Sequence, residues 1–141
     1  MSSERRAVPI DMLLIFLLAY VAASLFHHVH NAEFLREYPS MPAWLSRGRV
    51  YIAWLVVSAV GLVGYSLVRS RYQLTGLIVL GIYGVLGLAG LAHYGLAPLS
   101  AHTLTMNLTI WLEVATALLL LTAVVNLILK LLREDHESAP E

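Results

Sequence analysis

Three imidazoles and a carboxylate fall within seven residues, His27-His28-Val29-His30-Asn31-Ala32-Glu33, where a long apolar run ends. Tyr38-Pro39 lies just beyond. Two further histidines, His93 and His102, flank a later apolar boundary, so five of the chain's six histidines stand near such boundaries. Neutral imidazole is the commonest side-chain ligand of transition metals. His27 and His30 are three residues apart and share a helical face, and Glu33 continues that stripe. His28 points elsewhere, toward a neighbour or the lipid headgroups. The candidate metal ligands are therefore His27, His30, His93, His102 and Glu33. Asn31, four residues after His27, is placed to orient its ring by a hydrogen bond. With Asn31, the residues expected to support the ligands or handle protons are His28, Glu113, Asn107 and Tyr94.

Two to four imidazoles with Glu33 or Glu113 would satisfy zinc, copper or non-haem iron. Imidazoles from different helices would equally suit the iron of a b-type haem. The absence of Cys excludes disulfides, thiolate catalysis and Cys-held Fe–S clusters together. Three function classes remain. One is a haem- or quinol-linked redox protein, and another a metal-dependent enzyme or metal handler. The third is a non-catalytic membrane subunit, or a lipid- or quinone-binding protein, with incidental interfacial histidines. No catalytic residue follows from the pattern. The run His27-His28-Val29-His30 resembles the histidine boxes of membrane desaturases and hydroxylases, which carry about three such boxes and more histidines than this chain has. In architecture the chain is similar to bis-His four-helix cytochromes.

The elements that must position these residues are apolar. Of the 141 residues, 59% are hydrophobic and 13% charged, about half the charge of an ordinary soluble domain. The apolar residues form four runs near the ~20 residues needed to cross a bilayer core. This predicts an all-α integral membrane protein, one four-helix domain over 1–132, with helices at about 9–30, 50–68, 74–94 and 102–132. A charged, disordered tail is expected over 133–141. Pro9 and Asp11 suit the first helical turn. Arg5-Arg6, the Leu-rich stretch after Met12 and Ala22-Ala23-Ser24 also fit a cleavable signal peptide, and an uncleaved anchor is the expectation. Glu33, Arg36 and Glu37 have helical spacing, but Pro39 and Pro42 interrupt. Tyr38, Met41, Trp44 and Leu45 suit a segment at headgroup level.

In the third run, Gly76, Gly81, Gly84, Gly87 and Gly90 allow close packing against another helix or a flat cofactor. Ser100 is a candidate N-cap for the fourth helix. His102, Met106, Thr109 and Glu113 then share one face. An acid at the centre of a membrane helix is costly, ~2.5–3.5 kcal/mol on insertion scales, so Glu113 should face the bundle interior, with His102 or Asn31 as partner.

Short connections make the helices an antiparallel bundle. Arg5, Arg6, Arg69, Arg71, Lys130 and Arg133 lie on one side, against three basic residues, Arg36, Arg47 and Arg49, on the other. The positive-inside rule makes the richer side cytoplasmic, with both termini inside. The histidine cluster then faces outward, the periplasm if the membrane is a bacterial inner membrane. Nine basic residues balance nine acidic ones, which gives no reason to expect nucleic acid. The expected partners are the lipid bilayer and a homo-oligomer or larger membrane complex.

Overall fold

The computed structural model describes residues 10–137, with side chains from Met12 onward except Asp135. Arg5, Arg6 and Pro9, the Asp11 side chain, and the last four residues of the expected tail lie outside the described residues. Helix α1 spans Ile10–Glu33, α2 Arg47–Val68 and α3 Gln73–Leu86. A 3₁₀ segment, Gly87–Ala92, leads into the short α4, His93–Leu96. After a 3₁₀ turn at Leu99–Ala101, α5 runs over Leu104–Glu137. Four stretches are long and apolar enough to cross a membrane: Met12–Glu33, Arg47–Val68, Gln73–Leu96 and Leu104–Glu134.

α1 packs on α5 and α2, while α3 packs on α2 and α5. Their shared interior holds Leu13, Leu17, Tyr20, Leu77, Leu80, Tyr83, Ala117, Leu120 and Val124. The Tyr20 and Tyr83 rings lie 4.5 Å apart, and the Tyr20 hydroxyl donates to the Tyr83 carbonyl at 3.3 Å. Ile15, Phe26, Leu55, Val56, Leu62 and Leu108 point outward. Such apolar exteriors are stable in hydrocarbon, where helices satisfy their own backbone polar groups.

Glycine sets the helix spacing. A Cβ on Gly76 would collide with the α2 backbone at Val68 N and would lie 2.7 Å from the Gly64 carbonyl. On Gly84 it would lie 2.7 Å from Leu121, and on Gly87 2.5 Å from the Tyr20 hydroxyl. These faces are thus occupied by helices and Tyr20. Gly81, by contrast, leaves 3.7 Å to Val124, an ordinary contact.

Several boundaries differ from those expected of the sequence. The third apolar run is not one α-helix to Tyr94, because 3₁₀ backbone intervenes where Gly87 and Gly90 weaken helix propensity and press against Tyr20 and Glu113. The cap of α5 is Thr103 rather than Ser100: its hydroxyl accepts from the Met106 N–H at 3.3 Å. Ser100 instead lies in the 3₁₀ turn after Pro98. At its other end α5 continues through Arg133 to Glu137, in place of the start of the expected disordered tail. Lys130 and Glu134, four apart and 3.8 Å from each other, support those turns. Ser46 caps α2 by accepting from the Arg49 N–H, and so the helix begins three residues before Val50.

Candidate functional site

At the end of α1, His27 and His28 sit one turn beyond Ser24, and α5 places Glu113 against them. His27 Nε2 is 3.7 Å from Glu113 Oε2, and His28 Nδ1 is 3.8 Å from Oε1. The carboxylate thus lies between successive imidazoles, and the neighbour toward which His28 points is Glu113. This corrects the expected partners of Glu113, since the residues beside it are His27 and His28 rather than His102 or Asn31. Ser24, 1% exposed, faces His28 at 3.4 Å. Its spacing of three and four from the two histidines is a helical signal that sequence reasoning passed over.

Each ring has a polar support, and for His28 and His102 a backbone carbonyl fixes the tautomer. His28 Nδ1 donates to the Ser24 carbonyl at 2.9 Å. His27 Nδ1 meets the Thr109 hydroxyl at 3.4 Å. Asn31 does not orient His27; its amide donates to His93 Nε2 at 3.4 Å. His102 Nδ1 donates to the Pro98 carbonyl at 3.1 Å, which leaves a lone pair on Nε2. That Nε2 is buried and has no hydrogen-bond partner.

The rings form a row. His27 and His93 have centroids 5.3 Å apart, and His93 and His102 6.2 Å. Their exposures are 3%, 8% and 6%, and that of Glu113 is 3%. His102 precedes α5 in extended backbone, so it does not share the helical face of Met106, Thr109 and Glu113; proximity in space brings it to the site. Tyr94 and Asn107 hold that loop in place. The Tyr94 hydroxyl donates to Asn107 Oδ1 at 2.8 Å, and Asn107 Nδ2 donates to the Leu99 and His102 carbonyls.

Two expected ligands are engaged elsewhere. His30 Nδ1 meets the Tyr38 hydroxyl at 2.9 Å, and its ring lies 4.8 Å from Phe34. Glu33 accepts from Tyr51 at 2.7 Å and pairs with Arg47 at 3.0 Å on the partly exposed surface. Both diversions come from groups outside α1, which a helical stripe does not report. Tyr38, between the first two apolar spans, is buried, with its ring 5.1 Å from that of His93. Among the described residues, no group of three or more His, Asp or Glu side chains is arranged to hold a metal ion as the rings stand. Compared with known protein families, curated proteins and solved structures, the chain matches none.

Proposed function

We propose that this protein is an antiparallel four-helix bundle of a bacterial inner membrane, with both termini cytoplasmic. On this reading its outward-facing cluster of His27, His93, His102 and Glu113 takes up a transition-metal ion, in metal handling or redox chemistry. The observation that carries the reading is His102: its Nδ1–H is held by a backbone carbonyl while Nε2 is buried, unpartnered and keeps its lone pair, on a ring 6.2 Å from that of His93. A backbone acceptor on one imidazole nitrogen is the usual support of a metal ligand at the other. Ring spacing supports the same reading. With nitrogen ~2.0–2.1 Å from the ion, two imidazoles sharing it have centroids about 5–6 Å apart, close to the spacings of this row. Rotation of the rings about their side-chain torsions would converge the nitrogens, and Glu113 would supply negative charge. His30 and Glu33 are outside the set because Tyr38, Arg47 and Tyr51 hold them.

A b-type haem is the weaker alternative. The glycine surfaces that could admit a porphyrin are filled by Tyr20, Leu121 and the α2 backbone. A non-catalytic subunit or lipid- or quinone-binding protein would leave the histidines incidental, and it gives no reason for the unpartnered His102 nitrogen.

The deciding experiment is purification without a His-tag, followed by elemental analysis and an absorption spectrum of wild type beside His93→Ala and His102→Ala. Wild type should carry a stoichiometric metal without a Soret band, and both variants should lose it. An empty wild type after supplementation with zinc, copper or iron, or full occupancy in both variants, refutes the site. For orientation, reporter fusions after Val68 and Leu132 should read inside, and one after Arg36 outside. The reverse pattern would put the cluster in the cytoplasm.

A further inference from the structure

The cluster is buried within the described residues, His27, His93, His102 and Glu113 being each at most 8% exposed. From the segment between α1 and α2, one residue reaches the cluster. Tyr38 lies outside every membrane-spanning stretch, yet it is only 3% exposed. Its hydroxyl is 2.9 Å from His30 Nδ1, and its ring is 5.1 Å from that of His93. Burial pushes its phenol up to about 12, while the neighbouring Thr109 hydroxyl pulls the other way, so at neutral pH the phenol is uncharged.

Beside Tyr38 lies a cavity of about 820 Å³, open to the surface and lined by residues from Ala32 to Arg47 other than Pro39 and Trp44. Glu33, Arg36, Glu37 and Arg47 line it beside Tyr38, which gives it a polar wall. The segment is anchored at both ends. Phe34 N–H donates to the His30 carbonyl and Glu37 N–H to that of Phe34. Toward α2, Leu45 N–H donates to the Pro42 carbonyl, and the Arg49 guanidinium donates to that of Trp44. Between these anchors Pro39 and Pro42 bracket Ser40, whose φ of 59° is a left-handed conformation that L side chains adopt at a cost. Fixed ends with a strained centre suit a segment that opens locally without unravelling the helices.

We infer that this cavity is the antechamber of the buried cluster, that a hydrated metal cation enters through it, and that Tyr38, latched by His30, is the lid between the two. The identity of the ligand rests on the metal reading above, whereas the lid rests on the Tyr38 contacts alone. The latch gives His30 a role in access rather than in ligation. Displacing one side chain joins the antechamber to the row of rings, and its return shuts out water.

The chain contains no Cys, so one introduced thiol is a clean reporter of access. Met106, 1% exposed and one turn before Thr109 on α5, is the site for it. In the full-length purified protein, Met106→Cys should react slowly with a charged methanethiosulfonate. Tyr38→Ala in that background should speed labelling more than ~10-fold, because it removes both plug and latch. Tyr38→Phe, which keeps the ring and its packing, should speed it by about three- to tenfold, the worth of one hydrogen bond; it also decides the matter if the alanine variant does not fold. Equal labelling with and without the Tyr38→Phe substitution, both proteins being folded by circular dichroism, overturns the lid. In the Met106 background, Co²⁺ serves as the ion probe: Tyr38→Phe should raise its entry and exit rates together and leave equilibrium affinity nearly unchanged. A wild type that binds no Co²⁺ but whose labelling still depends on Tyr38 sinks the cation and retains the lid. Binding of Co²⁺ with labelling indifferent to Tyr38 does the opposite.

Discussion

The α2–α3 seam and the end of α1 are both buried, but they are built on opposite principles. In the seam, Gly64 and Gly76 remove side chains so that backbones meet. Contact there is made by shape, as expected between membrane helices, which gain little from hydrophobic association in lipid. At the end of α1, long polar side chains occupy the interior, and their contacts are hydrogen bonds or ring edges. Buried polar atoms without a partner occur in both regions, Trp54 Nε1, Ser58 Oγ and the Tyr83 hydroxyl on α2 and α3, Asn31 Oδ1 and His102 Nε2 at the polar end; His102 differs in being a bare acceptor on a ring whose other nitrogen is already held. Buried polar atoms are ordinarily paired. The contrast separates a seam made by shape from an end made by hydrogen bonds and ring edges.

The comparison can be broken from either side. The largest expected effect on stability is from Gly76→Leu, since the atoms it would strike are α2 backbone, which cannot rotate away. It should cost at least the ~1–3 kcal/mol typical of overpacking, measured as loss of the monodisperse detergent-solubilised protein on heating. Gly48→Leu, with nothing within 4 Å of its Cβ, should be near neutral. Similar melting of the two variants would remove the seam from the account.

Next in size is Glu113→Leu, which withdraws the carboxylate from between His27 and His28. Metal affinity should fall by more than ~10-fold, as read by competition with a chelator, while Glu113→Gln retains the helical fold by circular dichroism. Unchanged affinity in both variants would detach Glu113 from the site. A smaller effect, about 10-fold in affinity without a change in stoichiometry, is expected of Asn31→Ala: a turn of the amide lets Oδ1 accept from His93 Nε2–H, the support that leaves Nδ1 for the ion, and alanine removes it. The smallest is Tyr94→Phe, which deletes the bond to Asn107. A loss of ~1 kcal/mol in stability, with metal stoichiometry intact, would mark that pair as a brace for the loop carrying His102; loss of the metal would make it part of the site.

The membrane character of the helices was legible in the chain because hydropathy adds up locally, residue by residue. So was the packing of Gly84 and Gly87, since a missing side chain in an apolar run admits close approach whatever the neighbour. Capping was harder to read. Ser100 and Thr103 are both capable caps, and Pro98 with the following turn left the role to Thr103.

The histidine row shows where sequence reading stopped. A spacing of three put His27 and His30 on one stripe with Glu33, but the stripe says nothing about what stands opposite. Tyr38 folds back to take His30, and Arg47 and Tyr51 from α2 take Glu33. His28, off that stripe, reaches Glu113 because the carboxylate projects from another helix into the angle between two neighbouring rings.

By itself, then, the sequence determined four apolar helical spans, a chain free of thiol chemistry, and a concentration of imidazole at their boundaries. Each of these depends on composition and local periodicity alone. Tertiary structure decided which imidazoles meet, which are diverted, that Glu113 lies between His27 and His28, and that Tyr38 packs against His30 and His93. Those outcomes depend on the register between helices and the path of a proline-bracketed loop. Both are set by close packing among residues distant in the chain, which no local pattern encodes.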